Sequence, residues 1–225
     1  MILLFSSSDF PSAIVTKLSR KLRADGFLLC LPQKALSLEK LAAIPFSAAV
    51  LCMARKTDGL PSVTELRTVF PQIRLLVLSR SNPSCRWRSI PGTDAELTSP
   101  YSFTEISTVL ENFGALHFHA QNTIHRYGIE LTPDRHTVML GVKRVSLTPA
   151  QHTILHLLIR CPDPTEADVI ASFLRCPRHD LPTNSIPIHI HNLNSAAQQG
   201  NIPRMVGHIY RKGYSLLPPY GRNLS

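Results

Sequence analysis

Residues 147–160 read LTPAQHTILHLLIR, and the second half of the chain is organised around them. Thr148 precedes Pro149, and Gln151 stands three residues after the threonine. A hydroxyl able to accept from an early helical amide, a proline suited to the first turn and a glutamine able to reach back together write a helix start. Ile154, Leu155 and Leu158 follow at helical spacing and form the inward stripe. His152 and His156, one turn apart, are expected on the helix surface rather than as metal ligands.

Upstream, residues 129–131, 137–140 and 142–147 alternate or run apolar around Pro133-Asp134 and Gly141, the pattern of short antiparallel strands. Downstream, a second helix is predicted over 164–174, with Val169, Ile170 and Phe173 inward, and a third over 185–199, stopping before Gly200. The segment HIYRKGYSLLPP (208–219) then reads as strand, basic turn, strand. Strands, three helices and a closing hairpin describe a winged helix-turn-helix over 127–218, with a tail at 219–225 and a linker at 114–126.

The first half alternates differently. Apolar strands at 2–5, 27–31, 48–53, 73–78 and 92–98 are separated by a helical stretch with Ile14, Val15, Leu18 and Leu22 on one face, by others at 38–41 and 63–70 and, after the last strand, by one at 103–113. Continuous apolar strands with amphipathic helices between them predict a five-stranded parallel sheet covered on both faces, an α/β domain over 1–113. Residues 80–91, RSNPSCRWRSIP, carry two prolines and no helical period, so a loop is expected. Arg86, Trp87 and Arg88 make a basic-aromatic cluster there, either an interface or a tryptophan folded onto its own domain.

At 225 residues, with 44% hydrophobic and 17% charged, the chain fits two soluble domains. It has no apolar run of the roughly 18 residues that a membrane span needs and no signal-peptide pattern, so a cytoplasmic, non-membrane protein is expected. Cys30, Cys52, Cys85, Cys161 and Cys176 are scattered and mostly lie in apolar segments, which fits reduced core thiols. A net charge of +9 favours a polyanionic partner. There is no phosphate-cradling glycine loop, nucleophile elbow or carboxylate cluster, so neither catalysis nor a cofactor is expected. Cys161, Cys176 and His179 lack the second close ligand pair of a structural zinc site, and no metal site is predicted.

The order LTPAQHTILHLL, NSIPIHIHNLNS, IYRKGYSL resembles the effector domain of OmpR/PhoB-type response regulators. GTDAELTSPYSFTEI (92–106), with Asp58-Gly59 after the third strand and Ser79 after the fourth, resembles the end of their receiver domain. The resemblance implies a flavodoxin-like receiver and a bacterial, nucleoid-associated homodimer. It also implies double-stranded DNA as partner, RNA polymerase or another regulator as a further one, a third helix in the major groove and a hairpin in the minor groove. Carried over by position, the receiver's acidic pair becomes Ser6 and Ser7, its acceptor aspartate Leu51 or Cys52, its hydroxyl Ser79, and its lysine Ser99. Serines are poor Mg²⁺ ligands and leucine cannot accept a phosphoryl group, so the resemblance implies a degenerate receiver that works without phosphorylation. Asp9, just before Pro11, is read as the cap of the first helix, with a displaced metal ligand as the alternative.

Taking 100° per residue, Ile186, His189, Ile190, Leu193 and Ala197 share the inward face of the third helix. Asn184, Ile188, His191, Asn192, Ser195 and Gln199 share the outward one. Asparagine and glutamine can pair with adenine, serine with a base or a phosphate, and isoleucine with a thymine methyl. Residues 184–199 hold no lysine or arginine, so phosphate contacts fall to Arg175, Arg178, Arg204, Arg211 and Lys212. These readings predict a sequence-specific transcription regulator, with a protein-protein adaptor as the alternative.

Overall fold

The computed structural model describes residues 1–32, 36–54, 60–80, 90–114, 123–132, 136–175 and 182–219. The chain divides into two compact units, Met1–His117 with Arg175–Asp180, and Phe118–Leu174 with Leu181–Ser225.

The first unit runs β1 (Ile2–Ser6), α1 (Ser12–Ala24), β2 (Leu29–Cys30), α2 (Leu38–Leu41), β3 (Ala48–Met53), α3 (Val63–Val69), β4 (Arg74–Ser79), β5 (Ala95–Thr98) and α4 (Phe103–Asn112). The five strands form one parallel sheet in the order β2-β1-β3-β4-β5, the receiver-like, flavodoxin-like order. β3 is buried along its whole length, as a central parallel strand covered on both faces must be. Leu18 and Leu22 of α1 join Ile106 and Leu110 of α4 in a core with Ile2, Leu4, Val50, Leu76 and Leu78. Ser62 with Glu65 and Ser102 with Glu105 form complete capping boxes at α3 and α4.

β5 is short and its burial alternates, so it needs another fastening. Asp94, just before it, accepts from the Leu75 amide at 2.8 Å and from Arg67 and Arg74 at 2.6 and 2.9 Å. Burial raises the Asp94 carboxyl, but these donors outweigh it and hold it below the ordinary range. Asp9 does not cap α1. The N-cap is Pro11, without a side-chain bond, and Asp9 instead accepts from the Ser7 hydroxyl at 2.7 Å.

The second unit is a winged helix-turn-helix. β6 (Ile124–Arg126), β7 (Ile129–Thr132), β8 (Thr137–Leu140) and β9 (Lys143–Ser146) form an antiparallel sheet in chain order. Helices α5 (Pro149–Arg160), α6 (Ala167–Leu174) and α7 (Ile186–Gln199) follow, and β10 (Val206–Ile209) with β11 (Gly213–Leu216) closes the unit as a hairpin. The Thr148–Gln151 capping box forms as read.

Besides Asp9, the structure differs from the sequence reading in element bounds and in burial: β2 and β5 are shorter than the strands read over 27–31 and 92–98. The end of the predicted linker is strand β6, because Tyr127 (φ 55°) and Gly128 (φ 77°) turn the chain back so that Ile124 pairs with Leu131. Helix α6 starts at Ala167 rather than near 164, because Thr165 instead exchanges both backbone bonds with Tyr214, at 2.8 Å each. His152 and His156 are buried rather than on the surface, because α5 meets β6 and β7 on one side and α6, α7 and β11 on others.

The histidines stack edge to face, His136 on His152 at 4.8 Å and His152 on His156 at 6.1 Å, and Arg160 Nε donates to His156 Nε2 at 2.9 Å. Burial, then His136, pushes His152 down to about 4; burial, then Arg160, pushes His156 well below its usual value. Unfolded, an imidazole titrates near 6.5, so between that value and about 4 the unfolded state binds more protons. His152 should therefore cost the second unit on the order of 3 kcal/mol of stability as pH falls from about 7 to 4. Native-state amide exchange of α5 in the full chain should show this loss, and His152→Asn should remove the His152 share of it while the share of His156 remains.

Candidate nucleic-acid interface

Ser185 closes a 3-10 turn by donating to Pro182 O at 2.7 Å, and Pro187 sits in the first turn of α7, where its missing amide costs nothing. Ile186, Ile190, Leu193 and Ala197 are buried, which leaves Ile188 (62% exposed), His191, Asn192, Gln198 and Gln199 facing solvent. Asn184 is exposed at the helix entry, Ser195 is half-buried, and His189, expected inward, is half-buried too. The outward face thus presents amide, imidazole, hydroxyl and one aliphatic side chain, neutral groups able to meet base edges.

Asn194 belongs to the buried side. Its Nδ2 donates to Val206 O at 2.9 Å, and its Oδ1 accepts from the Met205 and Val206 amides at 3.1 and 3.0 Å. One side chain thereby joins α7 to the start of β10. The apolar-stripe reading missed it; the signal was its place between Leu193 and Ala197, inside the inward sector.

The hairpin turns through Tyr210, Arg211 and Lys212. Arg211 has φ 58°, and its guanidinium lies 5.1 Å from the Tyr210 ring, itself 76% exposed. Gly213 (φ 105°) is required twice over, since a Cβ would also come within 2.2 Å of Thr165 O. Arg204 Nε donates to Val206 O at 3.0 Å, which tethers the guanidinium beside α7. Between α7 and the hairpin lies a groove of about 350 Å³, lined by His191, Asn194, Ser195, Gln198, Arg204 and Tyr214 among others. Arg175 is half-buried, and Arg178, Cys176 and His179 fall outside the described residues.

At the carboxyl end of the first sheet, Ser6 is exposed and Ser7 buried, the latter donating its amide to Cys52 O at 2.9 Å and accepting from the Ala54 amide at 3.4 Å. Leu51 and Cys52 lie inside β3, level with Phe5 and Ser6; the residue level with Ser79 is Met53. Burial pushes the Cys52 thiol up, far from a reactive thiolate. The Ser79 and Thr98 hydroxyls share a bond at 3.0 Å, and the Ser99 amide donates to Ser79 O at 2.9 Å. Asp58 and Gly59 lie outside the described residues, as do Arg86, Trp87 and Arg88. Among the described residues no group of three metal-ligating side chains could hold an ion, and no helix is long and apolar enough to cross a membrane.

No protein-family model matches the chain, and no curated protein does. Solved structures do match. The DNA-binding domain of the response regulator AdeR, solved with an intercistronic region, is 21% identical over 42% of this chain and 98% of its own, with a TM-score of 0.36. A streptococcal redox sensor evolved from two-component response regulators is 12% identical, over 96% of this chain and 98% of its own, with a TM-score of 0.37. DrrB of Thermotoga maritima, an OmpR/PhoB homologue, is 16% identical over 96% and 98%, also with a TM-score of 0.37. The functional reading below rests on the residues themselves.

Asn194→Ala removes the partner of two buried amides, a change worth roughly 2–4 kcal/mol. The amides of Met205 and Val206 should lose exchange protection by that amount, whereas Asn192→Ala, on the exposed face, should leave it unchanged.

Proposed function

We propose that the chain is a sequence-specific DNA-binding transcription regulator that works as a dimer and without phosphorylation of its first unit. The observation that carries this is the exposed neutral face of α7 beside a hairpin tipped with Arg211 and Lys212. In this reading α7 enters a major groove, where Asn192, His191 and Ser195 meet base edges and Ile188 meets a thymine methyl, with Asn184 at the entry. Arg211 and Lys212 hold the backbone, with Arg204 beside them; Arg178, outside the described residues, is a further cation proposed to meet a phosphate. Two such helices, roughly 34 Å apart, would read successive half-sites.

Duplex affinity of the full chain, measured across salt concentrations, tests the reading. With three to five cations engaged in each protomer, log K should fall with log salt at a slope of roughly −3 to −5 per protomer bound. Arg211→Ala combined with Lys212→Ala should weaken all sequences alike and reduce that slope by about 2. Asn192→Ala should cost about 1–3 kcal/mol on the preferred site and relax the preference at one base pair. Absence of any site preference, with no enrichment in genome-wide immunoprecipitation, would overturn the proposal.

The cation-free stretch 184–199 and the exposed Ile188 favour a second reading, a protein-protein adaptor. That reading gains if the double wing variant leaves both partner binding and phenotype untouched.

Phosphorylation independence rests on Ser6, Ser7 and Ser99 standing where a receiver needs charge, and on β3 ending in Leu51, Cys52 and Met53. Beryllofluoride with Mg²⁺ should leave the oligomeric state and the amide spectrum unchanged. A saturable, Mg²⁺-dependent response would show that the first unit still accepts a phosphoryl group.

A further inference from the structure

We propose that Arg126 is a positioning residue for the basic hairpin: through the stiff segment Cys161-Pro162-Asp163-Pro164-Thr165 it couples β6, the first strand of the second unit, to β11. The effect on duplex binding rests on the function proposed above; the coupling itself does not.

Arg126 stands on a three-residue strand, yet its side chain reaches the carboxyl end of α5. Nη1 donates to Cys161 O at 2.6 Å and to Leu158 O at 3.4 Å, and Nη2 donates to Pro162 O at 3.4 Å and to the Tyr127 hydroxyl at 3.2 Å. The guanidinium carbon also lies 4.9 Å from the centre of the Tyr127 ring, which orients the fork from its other side. The short bond is to Cys161 O, just past the last turn of α5, where a helix leaves carbonyls without amide partners and its dipole is negative. A cation is the group that such a helix end favours.

The segment held there has little freedom to adjust. Residues 161–165 read CPDPT. Pro162 and Pro164 fix their own φ near about −65°, and each confines the residue before it to extended backbone. Cys161 is extended accordingly, at φ −91° and ψ 118°. Pro162 is exposed and Pro164 half-buried, so stiffness rather than core filling is what the prolines supply. Thr165 comes next, buried, and exchanges two backbone bonds with Tyr214 at 2.8 Å each. Burial pushes the Cys161 thiol up to about 11, against a downward pull from Thr165 and Arg126, which sets both of them against one side chain. Tyr214 follows Arg211, Lys212 and Gly213 directly, so the basic turn goes where Tyr214 is held.

A displacement of β6 therefore reaches the hairpin through a connection with few torsions left to absorb it. The stretch 114–126 reads as a linker and its last three residues are β6, so a pull on that stretch is felt first at Arg126.

The test compares amide exchange of the full chain with that of Arg126→Gln, whose shorter neutral side chain cannot bridge the same carbonyls. Expected is about a tenfold loss of protection at the Thr165 and Tyr214 amides, the loss of one charge-assisted contact, while the Met205 and Val206 amides, held by Asn194, keep theirs. Duplex affinity should fall by about the same factor on every sequence, with the base preference that depends on Asn192 retained. Unchanged protection at Thr165 and Tyr214, or an equal loss at all four amides, overturns the coupling. Selective loss in a chain that has no duplex affinity supports the coupling and fails the DNA reading alone. Selective loss with duplex affinity intact overturns the role in positioning the hairpin. Should Arg126→Gln fail to fold, Pro162→Ala combined with Pro164→Ala loosens the connection and leaves the fork in place; Thr165 and Tyr214 should again lose protection selectively, and full protection there overturns the coupling as well.

Discussion

The side-chain amide of Asn194 sets the angle between α7 and the hairpin. Its carbonyl oxygen takes the Met205 and Val206 amides and its NH₂ group gives to Val206 O, so the segment between helix and strand is clamped at its far end. Arg204 converges on the same carbonyl, which makes the position of that guanidinium a consequence of the clamp. The other strand is fixed independently, by the Thr165–Tyr214 pairing that only a glycine at 213 permits. Neither strand can rotate against α7 without exposing buried polar groups, each worth about 1–3 kcal/mol. The outward face of α7 and the basic turn are thus a single rigid surface assembled from a largely neutral helix and a charged hairpin.

In the first unit the sheet and its carboxyl end are separable in physical terms. Burial of Leu4, Val50, Leu76 and Leu78 against α1 and α4 requires no charge at the strand ends. A cluster of carboxylates at that place repels itself unless a cation is bound. Serine and threonine hydroxyls instead satisfy one another and the backbone, as Ser79 does with Thr98 and Ser7 with the Ala54 amide. Among the described residues the hydroxyls of Ser7, Ser79 and Thr98 at the end of the sheet have partners within the unit, so the architecture there needs no bound cation.

The elements legible in the sequence were those written by local rules. The Thr148-Pro149-Gln151 start of α5, the four-residue α2 and the wholly apolar β3 came out where caps and periods put them. Long-range packing decided the rest. Helical periodicity assigns polar positions to solvent, yet α5 is covered on several sides, and His152 and His156 went inside as neutral rings. Three-residue β6 is too short to show a period, and only the Tyr127-Gly128 turn marked it. In the candidate interface the exposed Asn184, Ile188, His191, Asn192 and Gln199 were legible because they lie opposite the buried stripe of the helix. Asn194 was not, because its partners lie 11 and 12 residues further on and their amides carry no signal of needing it.

On the proposed reading the distribution of charge has a mechanistic consequence. Attraction to phosphates is long-ranged and indifferent to sequence, whereas neutral hydrogen bonds are directional and lost when a base edge is wrong. Where lysines and arginines line a recognition helix, the two effects are mixed on one surface. Here α7 carries no cation between Asn184 and Gln199, and Arg204, Arg211 and Lys212 stand on the loop and turn beside it. Affinity and discrimination then sit on different elements, held in fixed relation by Asn194. Ionic strength should act mainly through the hairpin side, and base identity mainly through α7. A duplex engaged only through the hairpin would remain weakly and transiently bound, and one that also matched α7 would be retained.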